Sequence, residues 1–243
     1  MNVEISAMQL STVITAIGGL GTAAFGLLEA LKPVFSSINR MGLSHINDTI
    51  STLTPNQAAP GLPSDPLNAL PQKGILATIE ANWVNGTAVT DQKAIAKSLV
   101  KLHLSAGTAE ALAKKVNVDP AMLKSIAAKT LAGTPLQQAE SDVFSRFDLI
   151  LTATLDEAYQ LSDQIYRNGT RGLAAVIAVV LALAGAVSLE GWVLFQRGHW
   201  RDIALAFLVG LLATPLAPIA KDISTALATA VNTMQTVKKA IPQ

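Results

Sequence analysis

Cysteine is absent from this chain of 243 residues, and charged and aromatic side chains are scarce. Without cysteine the protein has no disulfide bond, no thiolate nucleophile and no cysteine-ligated metal. Charged residues make up 14% of the sequence and aromatic residues 5%, whereas hydrophobic residues make up 50%. Because the apolar residues cluster at the two ends of the chain, we expect part of the apolar surface to face lipid.

A large net charge is missing too. The formal net charge is +1, and residues 32–171 carry 13 basic and 12 acidic side chains. Affinity for nucleic acids comes largely from neutralising phosphates, which requires a positive field that this balance does not supply. We therefore expect no nucleic-acid partner.

The patterns of common catalytic sites are also missing. His45, His103 and His199 lie far apart and do not have the spacing of metal ligands. Neither a Gly-x-Ser-x-Gly elbow nor a phosphate-loop lysine occurs. Residues 19–24 fit Gly-x-Gly-x-x-Ala, but they lie inside an uncharged run with no preceding strand to form a dinucleotide site. We predict that the protein is not an enzyme and holds no cofactor or metal.

Three uncharged runs occupy residues 5–28, 173–189 and 203–220. A helix of 24 residues, the length of the first run, is about 36 Å long, and a hydrocarbon core is roughly 30 Å thick. The first run lacks the basic region and cleavage site of a signal peptide, so we interpret it as a retained anchor. A buried or interfacial helix is the alternative for this run. The other two runs predict a transmembrane helical hairpin.

The intervening sequence divides into segments of different character. The predicted order is an N-terminal transmembrane helix (1–31), a juxtamembrane amphipathic segment (32–53), a proline-rich linker (54–72), a cytoplasmic helical domain (73–170), the transmembrane hairpin (171–220) and an amphipathic C-terminal helix (221–243). The amphipathic segment is expected to lie along the membrane surface or to pack on the domain. Five prolines exclude a helix or a central strand from the linker.

The central domain is predicted to be all-α because no stretch of it alternates with a period of two. Caps and glycines predict helices that start at Thr90, Thr108, Asp119 and Thr134 and that end at Gly86, Gly107 and Gly133. In the helix predicted to start at Thr90, the residues Ile95, Leu99 and Leu102 are expected to face the core. The last helix is the longest, and its pattern indicates that it continues into the hairpin past Gly169 and Gly172.

Basic residues near the ends of the spans predict the orientation. An external N-terminus leaves seven basic residues inside and two, Arg197 and Arg201, outside. We therefore predict a multi-pass inner-membrane protein whose N-terminus is outside and whose central domain and C-terminus are cytoplasmic. The basic residues on the inner side are Lys32, Arg40, Arg167, Arg171, Lys221, Lys238 and Lys239.

Small residues recur at every fourth position in all three spans. Since lipid provides no hydrophobic drive for helices to associate, small side chains that allow backbones to approach are typical of packed spans. The rows predict close packing within one chain or between copies, and their alternative is chance in alanine-rich helices. They are Gly18, Thr22 and Gly26; Ala174, Ala178, Ala182 and Ala186; and Ala206, Gly210 and Thr214.

Charges and prolines near the hairpin form a second group of candidate residues. Glu190 lies near Arg197 and Arg201, which favours an interfacial ion pair over a proton or ion site. Pro215 and Pro218 are expected to bend the third span, as a structural kink or, alternatively, as part of a gate.

The C-terminal segment carries an apolar stripe that predicts a seam for another helix, formed by Ile223, Leu227, Ala230, Met234 and Val237. Residues 112–126 resemble a helix-turn-helix motif, but with only Lys124 and Lys129 in the second helix a plain helical hairpin is the favoured interpretation.

These observations predict a non-enzymatic, bacterial-type inner-membrane protein of three transmembrane helices, with the lipid bilayer as one partner. The expected role is that of a self-associating scaffold, a homo-oligomer, or an anchoring subunit of a larger membrane complex. The alternatives are a homo-oligomeric channel or pore and a membrane-bound regulator with a helix-turn-helix-like motif.

Overall fold

Helices contain 85% of the residues that the computed structural model describes, which are residues 7–55, 71–191 and 200–219. This part of the chain contains no β-strand, and the predicted all-α fold is confirmed. Its helices are α1 (Ala7–Leu31), α2 (Ser36–Asn39), α3 (Leu43–Leu53), α4 (Gln72–Val84), α5 (Val89–His103), α6 (Ala109–Val116), α7 (Pro120–Ala132), α8 (Gln138–Glu190) and α9 (Trp200–Ile219).

Three of these helices, α1, α8 and α9, are long and apolar enough to cross a membrane. The sequence predicted an apolar helix of this kind near the N-terminus and two more in the hairpin, and all three are present. In α8 the uncharged stretch is residues 173–189, and the charged residues lie within 138–172 and at Glu190. The helix continues through Gly169 and Gly172 without interruption.

The chain separates into two units, one made of Met1–Phe35 with Asn168–Gln243 and the other made of Ser36–Arg167. The first contains the apolar helices and is called the apolar unit below. The second unit, called the helical domain below, begins at Ser36. The sequence predicted a domain that begins at residue 73. The helical domain takes in α2 and α3 because Ile46, Ile50 and Leu53 of α3 are buried in its core.

The core of the helical domain is formed by one buried apolar stripe from each of α3 to α8. Fully buried members include Ile79 of α4, Leu112 of α6, Leu123 of α7 and Phe147 of α8. The three-to-four residue spacing of these stripes is the pattern by which helices pack on a common centre. Asp119 caps α7 as predicted, since its carboxylate accepts a hydrogen bond of 2.8 Å from the backbone N–H of Met122.

The segment from residue 36 to residue 53 is attached to the rest of the helical domain by polar and close backbone contacts. The indole N–H of Trp83 donates to the carbonyl of Asn39 at 2.9 Å, and the Trp83 ring meets Tyr166 edge-on with centroids 6.0 Å apart. Gly42 has φ +83°, and a Cβ atom there would overlap the carbonyl oxygen of Ser162. Only glycine fits this position without strain.

The predicted proline-rich linker (54–72) falls largely on residues 56–70, which lie outside the described residues. Its two described ends are tied together at the start of α4. The amide Nε2 of Gln72 donates to the carbonyls of Thr54 at 2.9 Å and of Ser51 at 3.1 Å. The points where the segment leaves and rejoins the helical domain are therefore neighbours.

The inward face of α5 differs from the predicted one. Of the predicted inward residues Ile95, Leu99 and Leu102, Leu99 is partly buried against the core, whereas Leu102 is 64% exposed. The buried residues of α5 are Gln92, Ala96, Val100 and His103. The buried face of α5 lies one position further along the helix than predicted, because two of its residues, Gln92 and His103, are polar and do not stand out in an apolar pattern. Gln92 Nε2 donates to the Thr87 carbonyl at 2.6 Å and His103 Nε2 to the Pro55 carbonyl at 2.9 Å. Gln92 Oε1 is buried without a partner among the described residues.

The start of α8 also differs from the prediction. The sequence placed a capping box at Thr134, whereas α8 begins at Gln138 and its cap is completed by Glu140. The carboxylate of Glu140 accepts hydrogen bonds from the backbone N–H of Gln137 at 2.8 Å, from Ser125 at 2.7 Å and from Lys129 at 2.7 Å. An acidic residue three positions into a helix commonly bonds back to the N-cap amide in this way.

Candidate functional site: the small-residue contacts of the apolar helices

Helices α1 and α9 of the apolar unit touch at Gly21. A Cβ atom at this position would overlap the carbonyl oxygen of Ala213 and would lie 3.0 Å from the Cβ of Ala217. The backbones of α1 and α9 are therefore in direct contact at Gly21. No side chain larger than hydrogen fits at this point of α1.

Helix α9 contacts α8 in the same manner, at Gly210. A Cβ atom there would overlap the Cα of Val179, with 2.8 Å to the backbone nitrogen of Val179 and 3.0 Å to the carbonyl oxygen of Ala178. Two glycines on different helices thus mark the two contacts by which α9 joins α1 and α8. Close approach of this kind replaces the hydrophobic effect as the source of helix association in lipid.

Alanines fill the centre between the three helices. Ala24 of α1, Ala178 of α8 and Ala213 of α9 are fully buried and form one cluster. Larger side chains surround this cluster and are only partly buried: Ile17, Leu20, Ile177 and Leu181. Apart from Leu28 of α1, which is buried, the small residues therefore lie at the helix contacts and the large ones lie at the periphery.

The outer surface of these helices is strongly apolar. In the most apolar 18-residue stretch of each helix, only 22% of the residues of α1, 11% of those of α8 and 17% of those of α9 are buried. Large side chains such as Val176, Leu189 and Phe207 are 59%, 89% and 51% exposed. An exposed apolar surface of this extent is typical of helices that are covered by lipid or by another protein.

The predicted packing residues are distributed unevenly between the inside and the outside of the unit. Gly18, Ala174, Ala178, Ala206 and Gly210 are buried, Ala182, Ala186 and Thr214 are partly buried, and Thr22 and Gly26 are exposed. The hydroxyl of Thr22 donates to the carbonyl of Gly18 at 3.1 Å.

Four inward residues, Gly21, Ala24, Ala213 and Ala217, lie outside the predicted rows. Those rows have spacings of four only, and such a row drifts around a helix of 3.6 residues per turn. A search for alternating spacings of three and four would have found Gly21, Ala24 and Leu28 on α1, as well as Ala206, Gly210, Ala213 and Ala217 on α9.

The predicted charge cluster is described only in part. Glu190 is the last residue of α8, and Arg201 is exposed in α9 with its guanidinium 5.9 Å from the centroid of the Trp200 ring. Arg197 lies outside the described residues. An ion pair that was not among the predicted site residues links Lys32 to Glu29 at 2.5 Å, at the end of α1.

Pro215 and Pro218 lie within α9, which continues through both residues to Ile219. Because proline has no N–H group, the carbonyls of Leu211 and Thr214 lack their normal helical donors. The hydroxyl oxygen of Thr214 is buried and has no hydrogen-bond partner in the described part of the chain. The predicted C-terminal seam, at Ile223, Leu227, Ala230, Met234 and Val237, lies outside the described residues.

Lysines of α5 and aspartates of α8 form a row of ion pairs between these two helices, called the ion-pair zipper below. Lys97 and Lys101 both contact Asp148, the former at 2.6 Å, and Lys93 contacts Asp156 at 2.5 Å. Burial alone would raise the pKa of Asp148, but the hydrogen bonds from Lys101 and Lys97 outweigh it and lower that pKa. The hydrogen bond from Lys129, followed by those from Gln137 and Ser125, lowers the pKa of Glu140 to about 2.

Both carboxylates are thus held in the ionised form by lysines and serve to join helices. Among residues 7–55, 71–191 and 200–219, no group of three or more histidine, aspartate or glutamate side chains could hold a metal ion. Comparison of the chain with protein-family models, with curated proteins and with solved structures finds no match.

Proposed function

We propose that this chain is an integral membrane protein in which α1, the uncharged part of α8 and α9 cross the bilayer. The observation that supports this proposal is the combination of length, apolar composition and exposure in these helices. In the most apolar stretch of α8, 11% of the residues are buried, so the remainder need a covering of low polarity. Lipid supplies such a covering along α1, the uncharged part of α8 and α9.

The proposed location is a bacterial-type inner membrane, with the N-terminus outside and the helical domain and C-terminus in the cytoplasm. The distribution of basic residues supports this orientation, since seven lie near span ends on the proposed inner side and two on the outer side. Lys32 at the end of α1 and Arg171 at the start of the apolar part of α8 both fall on the inner side.

The proposed role is that of a non-enzymatic scaffold or anchoring subunit which associates with copies of itself or with other membrane proteins. The single observation that carries this proposal is that α1, the uncharged part of α8 and α9 meet through glycine and alanine, which leaves most of the large apolar side chains of these segments on the outside. Such a surface is open to further helices in the plane of the membrane. The helical domain, with its own core and ion-pair zipper, would present a stable body to partners in the cytoplasm.

A mass measurement of the particle in mild detergent tests the proposed role. The scaffold proposal predicts a particle that contains several copies of the chain or additional co-purifying subunits. A homogeneous particle of one copy, with no other protein and unchanged at high protein concentration, would contradict it. Native mass spectrometry distinguishes these outcomes because it resolves 25.4 kDa steps.

A channel formed by several copies is the second candidate. The features that favour it are the carbonyls of Leu211 and Thr214, deprived of donors by Pro215 and Pro218, and the unpartnered hydroxyl of Thr214. Such oxygens in an apolar helix could coordinate a cation or a water molecule. Ion flux into vesicles that contain the purified protein supports this candidate, and vesicles that stay sealed over a range of voltages and ions exclude it.

A further inference from the structure

A surface groove of the helical domain lies between α5, α7 and the first turns of α8. Its volume is about 600 Å³, and its apolar lining consists of Leu102, Leu104, Ala127, Leu131 and Phe144. Clefts that bind small organic molecules usually have volumes of roughly 300–1,000 Å³ and mainly apolar walls. This groove, called the Lys101 groove below, has the size and the lining of such a site.

The side chains of two leucines at the groove are largely exposed to solvent. Leu102 of α5 is 64% exposed and Leu131 of α7 is 65% exposed. Both line the same groove, so their exposed surfaces are adjacent rather than scattered. Isolated exposed leucines need no explanation, but leucines that share a groove with a phenylalanine form a contiguous apolar surface.

The polar lining of the groove contains one basic residue and no acidic residue among the described residues. Lys101 is the one charged residue among its described lining residues, and Ser98 and Thr130 contribute hydroxyl groups. The ammonium of Lys101 lies 5.3 Å from the centroid of the Phe144 ring, at the boundary between the polar and the apolar parts of the lining. A ligand in the groove would therefore meet apolar side chains and one ammonium group together.

The charge of Lys101 is only partly compensated. Its partner Asp148 also receives an ion pair from Lys97, so that one carboxylate faces two ammonium groups. An ammonium group has three N–H donors, and further acceptors can be added to it. The two ammonium groups of Lys97 and Lys101 and the one carboxylate of Asp148 leave one positive charge in excess next to an apolar surface. This combination matches a ligand with one negative charge and a hydrocarbon chain.

From this match we propose that the Lys101 groove binds a single-chain anionic amphiphile, of which a fatty-acid carboxylate is the simplest form. The carboxylate would accept hydrogen bonds from Lys101 and from the hydroxyls of Ser98 or Thr130, and the chain would lie against Leu102, Leu131 and Phe144. A monoanion fits better than a phosphate dianion because the lining supplies one cation. This proposal does not depend on the scaffold role.

Photocrosslinking of the full-length protein in nanodiscs of neutral phosphatidylcholine tests the proposal. The probe is dodecanoate that carries a diazirine near the end of its chain, and the crosslinked peptides are identified by mass spectrometry. We expect crosslinks in the peptides that contain Leu102, Leu131 and Phe144. Unlabelled dodecanoate should compete with the probe, whereas dodecanol, which has the same chain length and no charge, should compete about tenfold less well.

Two pairs of variants separate the groove from general effects on the domain. Lys101→Gln should reduce crosslinking in the groove about tenfold. Lys93→Gln is its matched control, because Lys93 also pairs with an aspartate of α8, Asp156, but does not line the groove. Leu131→Asp should likewise abolish groove crosslinks, and Leu149→Asp is the control, since Leu149 is 70% exposed and is not part of the groove lining.

Each outcome decides for or against the proposal. It is supported if Lys101→Gln and Leu131→Asp lose the groove crosslinks while both controls retain them. It is overturned if the crosslinks lie elsewhere, if all four variants behave alike, or if dodecanol competes as well as dodecanoate. A groove that stays unlabelled in the folded wild-type protein, as judged by circular dichroism, also overturns it and leaves the groove as a surface for a protein partner.

Discussion

The α carbon of Val179 lies so close to Gly210 that a methyl group at Gly210 would overlap it. This contact joins α8 to α9, and the corresponding contact of Gly21 with Ala213 joins α1 to α9. The apolar unit therefore depends on two positions at which no side chain is tolerated. Other glycines of the same unit, such as Gly19, Gly26 and Gly185, have open space where a Cβ atom would lie.

Replacement of Gly210 by alanine should destabilise the apolar unit. A methyl group there must push apart two helix backbones, and overpacking of this kind costs about 1–3 kcal/mol. We expect a lower apparent Tm for the protein in detergent, measured by the loss of helical circular dichroism, together with faster proteolysis. Gly185→Ala is the matched control on α8, where nothing lies within 4 Å of the added Cβ. Equal effects of the two substitutions would contradict the close contact.

Replacement of Asp148 by asparagine should destabilise the helical domain. It removes the ion pairs to Lys97 and Lys101 and leaves two lysines close together, so we expect a loss of about 1–2 kcal/mol. Asp156→Asn is the comparison, because Asp156 contacts only Lys93 among the described ion pairs and its side chain is 49% exposed, against 29% for Asp148. Urea unfolding followed by tryptophan fluorescence measures both variants. An equal or larger effect at Asp156 would contradict the greater contribution expected from the shared, less exposed carboxylate of Asp148.

Glu140 should make the stability of the helical domain sensitive to acid. Its pKa is lowered from 4.5 to about 2 in the folded protein, so the ionised carboxylate favours folding above pH 4.5. This contribution is lost as the pH falls from 4.5 towards about 2. Glu140→Gln should therefore lower the Tm at neutral pH and differ less from the wild type near pH 2.

The control for Glu140 is Glu110→Gln. Glu110 is also paired with a lysine, Lys114 at 2.8 Å, but both side chains are about two-thirds exposed, at 65% and 67%. Exposed pairs of this kind contribute little to stability. If Glu110→Gln lowered the Tm as much as Glu140→Gln does, the cap at the start of α8 would have no special role.

These cases show which parts of the fold could be predicted from sequence. The helices with apolar stripes, such as α7 with Leu123, Ile126 and Ala127, were predictable from their spacing and their caps. The inward face of α5 was not, because Gln92 and His103 are buried polar residues whose partners, Thr87 and Pro55, are known only once the chain is folded.

The residues of the candidate site were likewise predictable from sequence only in part. Small residues in the apolar helices indicated packing, and the sequence alone named Gly210 and Ala178 among them. Gly21 lies outside the predicted rows because those rows used spacings of four only, and its partner Ala213 is known only once the chain is folded. The Lys101 groove was missed for a related reason, since Leu102 was assigned to the core and its exposure depends on the register of α5.

The proposed orientation predicts which positions react with a membrane-impermeant maleimide. The absence of native cysteine allows single-cysteine variants without background labelling. Asn2→Cys and Gln196→Cys should react in intact cells whose outer membrane has been made permeable, and Ser98→Cys in the helical domain should react only after lysis. The reverse pattern would invert the orientation, and equal labelling of residues 2 and 98 would remove α1 as a span.

The central claim is that α1, the uncharged part of α8 and α9 are covered by lipid. Extraction of membranes with alkaline carbonate, followed by sedimentation, tests it most directly. We predict that the full-length protein stays in the membrane pellet and enters solution only with detergent. A chain that is released by carbonate and remains monodisperse in aqueous buffer without lipid or detergent would contradict the claim.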